Sequence, residues 1–312
     1  MSIAVTVVGA GVSGLTTAIS LAERGLAPQV IAASPAEKST SGAAGAIWYP
    51  YEAVPMELVT WWSLITYGRL LALYREENSG VSLVELRTFS RNDAIEVPAW
   101  AEAVGHRMLS EWPSPYRSGF AITAPLMDTP VYLAFLRHHL LSLGGTLHEA
   151  RLERLEEAEG DVIVNCTGIG ARSLVPDPGV EALRGQVALV EPIALPYALV
   201  CDDDPLTYII PRSRDCVLGG VNERSMIETA DPAVTTKIVE ECTRVSGQTF
   251  TLREARVGLR PFRASGVRVE RGTLADGRPV VHNYGHGGSG FTLSWGCAQK
   301  AVELVLSAQV SS

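Results

Sequence analysis

Residues 3–25 read IAVTVV-GAGVSG-LTTAISLAERG, and this stretch decides the fold. Its first six residues are uncharged and mostly β-branched, which predicts a strand buried on both faces. Gly9, Gly11 and Gly14 follow with the spacing G-x-G-x-x-G, and from Val12 onward apolar residues recur at helical period. Such a turn lets backbone approach a pyrophosphate, which binds the unpaired N–H groups at the positive end of the helix. The order of strand, turn and helix therefore predicts a dinucleotide site, with a glycine-rich turn that binds no ligand as the alternative.

The composition is that of a folded protein without a nucleic-acid or membrane partner. With 312 residues and 46% hydrophobic content, the chain is long enough for one large or two modest domains. The net charge of −8 and the pI near 5.4 argue against nucleic acids and anionic membranes as partners. Charges or prolines interrupt every apolar stretch before it reaches the length of about 18 residues that a membrane helix needs.

The cysteines and histidines predict neither disulfides nor a metal site. The five cysteines are widely separated, odd in number and without a C-x-x-C pair, which is typical of a protein of the reducing cytosol. The six histidines include no H-E-x-x-H motif. His138 and His139 are adjacent, so they point to different sides of a helix. We expect a cytoplasmic protein that binds no metal.

The rest of the pattern predicts an α/β fold in which a Rossmann-like domain is joined to a second, mostly antiparallel domain. Further strands are predicted over residues 29–33, 81–89, 119–125, 161–168, 187–190, 207–210, 217–221 and 279–284. Helices are predicted over residues 55–74, 129–144, 171–174, 232–245 and 291–306, and a loop over residues 34–45. We assign residues 1–50, 128–184 and 262–312 to the nucleotide-binding domain, and residues 51–127 and 185–261 to the second domain.

The expected ribose contact departs from the pattern of nicotinamide enzymes. Those enzymes usually carry an acidic residue about twenty positions past the glycines, where it holds the ribose hydroxyls. This chain has Ala32, Ala33 and Ser34 at that place, with Glu37 just beyond. The departure weakens an NAD interpretation and leaves the ribose contact unassigned.

Two further glycine turns follow predicted strands. Asp161–Gly168 reads DVIVNCTG, a second strand with glycine at its carboxyl end, where an open α/β sheet places a ligand crevice. Gly285–Gly290 reads GHGGSG and leads into a helix. The N-terminus of that helix suits the N1–C2=O side of a reduced flavin, where negative charge develops. Plain structural turns are the alternative for both segments.

One arginine lies in an apolar context. The segment RVGLRPFR, residues 256–263, puts Arg260 among Leu259, Pro261 and Phe262. A cation in such surroundings needs a partner. That partner is either a carboxylate of a ligand or a structural salt bridge.

Several segments together resemble the D-amino-acid oxidase family, which has the glutathione-reductase-like FAD-binding fold. In chain order they are VVGAGVSGL, GAAGAIWYPY, DVIVNCTG, RGQV, YIIP, LGG, VGLRPFR and VHNYGHGGSGFTLSWGCA. They span nearly the whole chain, and the last is the most specific. The resemblance implies that a D-amino acid is oxidised to its imino acid, which hydrolyses to a 2-oxo acid and ammonia, while O₂ is reduced to hydrogen peroxide.

The resemblance implies a non-covalent FAD and the residues that contact it. The first turn would bind the pyrophosphate, Ala46 and the loop before it would lie near the isoalloxazine, and the last turn would lie beside the flavin pyrimidine. The implied cofactor-binding residues are Gly9, Ala10, Gly11, Val12, Ser13, Gly14, Ser34, Ser41, Gly45, Ala46, Val164, Thr167, Gly168, Gly287, Gly288, Gly290, Phe291 and Thr292. Among them, Val164 would lie near the adenosine.

The resemblance also implies how a substrate is held. Arg260 matches the family arginine that binds the substrate carboxylate, in agreement with the bidentate grip of a guanidinium. Tyr208 matches a tyrosine whose hydroxyl binds the same carboxylate, with a packed core tyrosine as the alternative. Gly288 matches the glycine whose carbonyl receives the amino group. Tyr49 and Tyr51 resemble residues of the pocket wall.

The matched positions include no general base, which favours hydride transfer from the substrate Cα to flavin N5. With carboxylate, amine and side chain fixed, only one enantiomer turns its Cα–H toward the flavin. The implied partners are a small D-amino acid and O₂. We expect a bacterial cytosolic enzyme, and we count a homodimer among the expectations.

Several other functions stay open. A D-aspartate oxidase would need a further cation for the second carboxylate; Arg212 and Arg214 are available, but the three aspartates at 202–204 oppose a second anion. A glycine or sarcosine oxidase of the same fold, an NAD-dependent dehydrogenase and a non-catalytic nucleotide-binding module are the others.

One position departs from the family. Its eukaryotic members carry a second tyrosine on a mobile lid, four residues before the one that matches Tyr208. Asp204 stands there in this chain, and the connection from Arg184 to Tyr208 is shorter. We therefore expect a shortened lid and a more open pocket.

Overall fold

The computed structural model describes residues 3–308, within which two sheets are joined by eight α-helices. The helices are α1 Val12–Ala22, α2 Thr40–Ala43, α3 Met56–Leu73, α4 Ala99–Val104, α5 Thr129–Ser142, α6 Ala171–Leu174, α7 Pro232–Ser246 and α8 Gly290–Ser307. The strands are β1 Val5–Val8, β2 Gln29–Ala32, β3 Val81–Ser90, β4 His106–Met108, β5 Ser118–Met127, β6 Thr146–Glu149, β7 Val162–Asn165, β8 Val180–Val190, β9 Tyr197–Cys201, β10 Thr207–Pro211, β11 Cys216–Gly219, β12 Glu223–Arg224, β13 Leu252–Arg263, β14 Arg268–Thr273 and β15 Pro279–Tyr284.

The smaller sheet has the strand order β14-β15-β7-β1-β2-β6. Its neighbours are parallel except for the β14–β15 pair. The apolar residues of β1 are buried on both faces, as the uncharged run predicts. Strand β1 pairs in parallel with β2 on one side and with β7 on the other. The carboxyl ends of β1 and β7 therefore lie side by side. This is the switch point at which open α/β sheets bind ligands.

The larger sheet has nine strands in the order β12-β8-β11-β10-β9-β3-β5-β4, with β13 also paired to β8. All its pairs are antiparallel except β3 with β9. The β8–β13 pair is the longest and extends from Val180 opposite Arg263 to Val190 opposite Leu252. It therefore places the RGQV segment alongside the segment that contains Arg260.

A helical layer covers the smaller sheet. Helix α8 packs between α1 and α3, and most of its residues are buried. A Cβ at Gly296 of α8 would lie 2.3 Å from the Trp62 carbonyl oxygen, so glycine permits the close approach of α3. None of the helices within residues 3–308 is both long enough and apolar enough to cross a bilayer.

Most predicted elements are confirmed, among them the first strand and helix, the strands at 29–33, 81–89 and 279–284, and the helices at 232–245 and 291–306. The five cysteines are buried and unpaired, as expected. The loop prediction for 34–45 is wrong, because a 3-10 turn at Ala36–Lys38 and helix α2 occupy it. The Ser39 side chain accepts a hydrogen bond from the Ser41 amide and caps α2.

Two of the strands that sequence reasoning missed carry charged residues. β13 and β14 read LREARVGLRPFR and RVERGT, and both are half-buried or exposed along most of their length. β13 pairs with β8 from a distant part of the chain, whereas β14 forms a hairpin with the next strand, β15. Neither β13 nor β14 shows the regular apolar alternation that predicts a strand.

The predicted domain limits remain a prediction. Strands β8 and β13 cross the limits at 184/185 and 261/262 and lie wholly in the larger sheet. Residues 1–2 and 309–312 of the predicted nucleotide-binding domain lie outside the described residues.

Candidate active site

A cavity of about 680 Å³ lies where the two sheets meet. The carboxyl ends of β1, β2 and β7 form one part of its wall, and residues of β8, β10 and β13 form another. The cavity brings together twenty of the predicted site residues: Gly9, Ala10, Gly11, Val12, Ser13, Ser34, Ser41, Gly45, Ala46, Tyr49, Tyr51, Thr167, Gly168, Tyr208, Arg260, Gly287, Gly288, Gly290, Phe291 and Thr292. A continuous space thus connects the three glycine turns with Arg260.

The first glycine turn has the geometry that its spacing predicts. Gly9 adopts a φ of +112°, and a Cβ there would lie 2.4 Å from the Cys166 carbonyl oxygen. The turn therefore fits against the end of β7 only with glycine. At the helix start, the Val12 amide donates to the Ser41 hydroxyl at 3.0 Å. Ser41 thus caps α1 as well as lining the cavity.

Two of the predicted cofactor residues do not line the cavity. A Cβ at Gly14 would lie 1.8 Å from the Gly9 carbonyl oxygen, so Gly14 permits close packing of α1 on the turn. Val164 is fully buried in β7, between Val7 of β1 and Val281 of β15. The structure does not bring Val164 to the cavity where an adenosine would contact it.

Residues from two segments surround the position at which nicotinamide enzymes carry an acidic ribose-binding residue. Ala32, Ala33 and Ser34 line the cavity after β2, together with Lys38, whereas Glu37 does not. Residues 150–153, which include Arg151 and Glu153, also line it. Sequence reasoning missed this segment, although β6 pairs in parallel with β2 and so ends at the same edge. These charged side chains are available to a ribose or adenine.

The last glycine turn packs tightly against the segment that carries the pocket tyrosines. Gly287 has a φ of +54°, and a Cβ there would lie 1.7 Å from the Glu52 carbonyl oxygen. A Cβ at Gly288 would lie 2.5 Å from Cδ1 of Tyr51. Both glycines are therefore needed for the approach of residues 51 and 52.

Two hydroxyls hold the pocket tyrosines in place. The Thr292 hydroxyl accepts from the Tyr49 amide at 3.1 Å and donates to the Tyr49 carbonyl at 3.0 Å. The Ser289 hydroxyl does the same for Tyr51, at 2.7 Å in both directions. The start of α8 is therefore tied to the wall of the cavity, and Thr292, predicted beside the flavin, also positions Tyr49.

Arg260 faces the cavity and is half-buried. Its Nη1 donates to the Val221 carbonyl at 3.0 Å and to Oδ1 of Asn222 at 3.4 Å, and its Cζ lies 5.9 Å from the centre of the Tyr51 ring. No carboxylate of residues 3–308 forms an ion pair with it, so the structural salt bridge is wrong as an alternative. The guanidinium keeps donors free for a ligand.

Glycine provides the space for both side chains that are predicted to bind the substrate. A Cβ at Gly185 of β8 would lie 2.5 Å from Cζ of Arg260. Tyr208 is opposite Gly219 in the β10–β11 pair, and a Cβ at Gly219 would lie 1.9 Å from Cζ of Tyr208. These are the glycines of the RGQV and LGG segments, whose spatial role the sequence did not disclose.

The tyrosines of the cavity are hydrogen-bond donors rather than bases. Burial raises the pKa of Tyr208, although the nearby Arg260 charge opposes the shift. Burial likewise raises the pKa of Tyr49 and of Tyr51 above the ordinary value of 10.0. All three phenols are therefore protonated at neutral pH. Tyr208 lines the cavity, so it is more than a packed core residue.

His286 also lines the cavity and was not singled out from the sequence. Its Nε2 lies 3.0 Å from Oδ1 of Asn283, whose Nδ2 donates to the Thr17 hydroxyl, and its Nδ1 lies 3.5 Å from the Ser13 hydroxyl. Burial lowers the pKa of His286 to about 4, so the imidazole is neutral at physiological pH. The sequence could have indicated this residue, because His286 stands within the glycine-rich turn Gly285–Gly290.

The candidate cations for a second carboxylate lie elsewhere. The Arg212 guanidinium is buried and pairs with both oxygens of Asp215, at 2.6 and 2.8 Å, and with the Thr129 hydroxyl. Neither Arg212 nor Arg214 lines the cavity. Both follow β10, the strand that carries Tyr208, but they lie toward the start of α5 and not in the cavity.

The family model of DAO, the FAD-dependent oxidoreductases, matches residues 4–304. The chain belongs to this family. It is 45% identical over 308 residues to a D-amino-acid oxidase of Rubrobacter xylanophilus, with 96% of this chain and 94% of the relative covered. It is 42% identical over 310 residues to a D-amino-acid oxidase of Streptomyces coelicolor, with 96% of each covered. A solved glycine oxidase of Bacillus cereus shares the fold at a TM-score of 0.78 and 17% identity, over 99% of this chain and 96% of that one.

The cavity of this oxidoreductase fits FAD. Three glycine turns line it, and at Gly9, Gly287 and Gly288 a Cβ would collide with neighbouring groups. The residues after β1, β7 and β15 would hold the pyrophosphate and the flavin pyrimidine with backbone N–H groups. FAD as cofactor overturns the NAD-dependent dehydrogenase alternative, and an oxidoreductase activity overturns a purely binding module.

Proposed function

We propose that this FAD-dependent oxidoreductase oxidises D-amino acids to imino acids, which hydrolyse to 2-oxo acids and ammonia, with O₂ reduced to hydrogen peroxide. The observation that carries the proposal is the guanidinium of Arg260, which forms no ion pair within residues 3–308 and lies on the wall that also holds Tyr208 and Gly288. A planar guanidinium and a phenol are suited to one carboxylate. The names of the relatives from Rubrobacter and Streptomyces support this substrate class.

The chain's own residues bind and orient the substrate. Arg260 and Tyr208 hold its carboxylate, and the carbonyl of Gly288 accepts a hydrogen bond from its amine. Bound FAD supplies the acceptor for the hydride from Cα. Because the phenols of Tyr51 and Tyr208 stay protonated, they act as donors and not as bases. Catalysis then rests on placing Cα correctly, an effect that can contribute about 7–11 kcal/mol.

The stereochemistry follows from the same three anchors. With the carboxylate on Arg260, the amine at Gly288 and the side chain in the remaining space, one enantiomer directs its Cα–H toward the cofactor. A panel of D- and L-amino acids, assayed for peroxide, tests this directly. Equal rates for the two enantiomers would contradict the arrangement.

Replacing Arg260 with Ala tests the role of the guanidinium. Losing a charged hydrogen-bond partner costs about 2–5 kcal/mol, so KM for D-amino acids should rise on the order of 100-fold. The visible spectrum of the flavin should stay unchanged, since Arg260 lies on the substrate side. Arg214→Ala, which removes an arginine outside the cavity, is the matched control. Unchanged kinetics of Arg260→Ala would remove this residue from the site.

The connection between β9 and β10 contains position 204, where eukaryotic members of the family carry the tyrosine of a mobile lid. Residues 202–206 alone join these adjacent strands, and Asp202 and Leu206 line the cavity. We propose that this short connection replaces a longer lid, so that the pocket stays more open. Turnover would then be limited by an earlier step than product release, which stopped-flow kinetics can separate.

Location and assembly are proposals as well. We propose a cytoplasmic enzyme, in keeping with five unpaired buried cysteines and a net charge of −8. A homodimer is proposed on the resemblance to the family alone. Light scattering of the purified holoenzyme measures the mass directly, and a monomeric mass would overturn it.

A further inference from the structure

The three consecutive aspartates between β9 and β10 have different surroundings. Asp203 accepts hydrogen bonds from the Ser90 hydroxyl at 2.8 Å and from the Arg91 amide at 2.5 Å, so it holds the loop to the end of β3. Asp202 and Asp204 are both exposed, but Asp204 lies outside the cavity wall. Asp202 is the member of the triplet that lines the cavity.

The carboxylate of Asp202 is held in place but not neutralised. The Tyr49 hydroxyl donates to its Oδ2 at 2.5 Å. Tyr49 is itself fixed through its backbone by the Thr292 hydroxyl. No lysine or arginine within residues 3–308 forms an ion pair with Asp202, and no second hydrogen-bond donor from that range reaches it. The cavity wall therefore carries an oriented negative charge without a counter-charge.

Asp202 and Arg260 line the same cavity, and Tyr51 lines it with them. Burial, the largest cause, raises the pKa of the Tyr51 phenol; the Arg260 charge lowers it, and the Asp202 charge adds to the rise. Burial, the largest cause, raises the pKa of Asp202, and the Tyr49 hydrogen bond opposes this. Asp202 is exposed in the structure, and a cation bound beside it would favour its charged form. The cavity thus presents a cationic group and an anionic group to a single ligand.

We propose that Asp202 is a specificity-determining residue, which favours D-amino acids with a cationic side chain and rejects those with an anionic one. The inference rests on the proposed function. Arg260 holds the α-carboxylate, and the side-chain ammonium or guanidinium of the substrate donates to the free oxygen of Asp202. An acidic side chain would be repelled by the same carboxylate, and Arg212 does not offset this repulsion because it is paired with Asp215.

The test compares D-lysine with D-norleucine, which has the same six-carbon chain without the terminal amine. In Asp202→Asn holoenzyme, kcat/KM for D-lysine relative to D-norleucine should fall about 10- to 100-fold, the loss expected for a hydrogen bond to a charged group. Asp204→Asn removes the same formal charge two positions away and is the matched control. An unchanged ratio in Asp202→Asn would overturn the proposal, as would an equal fall in Asp204→Asn, which would indicate general attraction of cations.

A binding measurement separates this inference from the proposed function. 6-Aminohexanoate and hexanoate carry the carboxylate, and the first carries the terminal ammonium, but neither has an α-amine to oxidise. Calorimetry on the wild-type holoenzyme should give a lower Kd for 6-aminohexanoate, and Asp202→Asn should abolish the difference. If no D-amino acid is oxidised, the proposed function fails, and these Kd values still decide the role of Asp202. Equal Kd values in the wild type would overturn it.

Discussion

At the scale of single residues, two glycines leave space for the cavity side chains that are predicted to bind the substrate. The guanidinium of Arg260 occupies the space that a Cβ at Gly185 would take, and the ring of Tyr208 occupies that of a Cβ at Gly219. Each of the two side chains therefore packs closely against a glycine of the neighbouring strand. A glycine that looks like a weak strand residue in the sequence is required here for close approach.

Gly185→Ala tests this explanation. The added Cβ would lie 2.5 Å from Cζ of Arg260, and overpacking of this kind costs about 1–3 kcal/mol. We expect KM for D-amino acids to rise on the order of tenfold, with the flavin spectrum intact, because the guanidinium must move. Gly68→Ala is the control, since Gly68 lies in α3 with open space where its Cβ would be. Unchanged steady-state kinetics of Gly185→Ala would contradict the close-approach argument.

At the scale of elements, the start of α8 and the segment that follows Ala46 act as one unit. Thr292 and Ser289 each bind both the amide and the carbonyl of a pocket tyrosine. Ala46 has a φ of +55°, an uncommon conformation for a residue with a Cβ, and lines the cavity at the start of this segment. These hydrogen bonds therefore link the predicted cofactor contacts at the start of α8 to the predicted wall of the substrate pocket.

Thr292→Val removes one of these links without a large change in shape. The Tyr49 amide loses its partner, which costs about 1–3 kcal/mol, so Tm should fall and KM should rise as Tyr49 and Asp202 lose their alignment. Thr236→Val is the matched control, because the Thr236 hydroxyl bonds only to the Pro232 carbonyl on the exposed side of α7. Equal effects of the two variants on KM would show that the link does not position Tyr49.

At the scale of the whole molecule, two buried histidines make stability depend on pH. Burial, reinforced by the Arg268 charge, lowers the pKa of His282 to about 4, although Glu270 and Asp177 oppose the shift and Arg263 adds to it. His286 is lowered to about 4 by burial. Between about pH 6.5 and 4 the unfolded chain binds more protons than the folded one. Stability is therefore fully present above about pH 6.5 and decreases as the pH falls toward 4.

Unfolding of the holoenzyme by urea at pH 7.5 and pH 5.0 measures this dependence. In His282→Gln, the difference in the free energy of unfolding between the two pH values should shrink by about 2 kcal/mol. His106→Gln, at an exposed position, should leave the difference as it is in the wild type. A wild-type protein equally stable at both pH values would contradict the buried neutral state of the histidines.

The sequence alone predicted those parts that depend on neighbours a few positions away. The first strand, the glycine turn and α1 follow from β-branched residues, helical period and Gly9, and the turn at Gly287 and α8 follows in the same way. The identity of Arg260 and Tyr208 as candidate substrate residues came from the resemblance. The charged strands β13 and β14 and the helical turns at 36–43 escaped prediction, because their local patterns are weak. The long-range pairing of β13 with β8 and the capping of α2 by Ser39 override that pattern.

Only the tertiary structure decided what these residues face. Gly185 approaches Arg260 because β8 pairs with β13 across a long stretch of chain, and Asp202 meets Tyr49 because β9 ends beside the segment tied to α8. The tertiary structure also places Asp202, but not Asp203 or Asp204, on the cavity wall, and it directs Arg212 away from the cavity. The physical reason is that long-range strand pairing sets which side chains share one space, whereas local sequence sets only which strands and helices form.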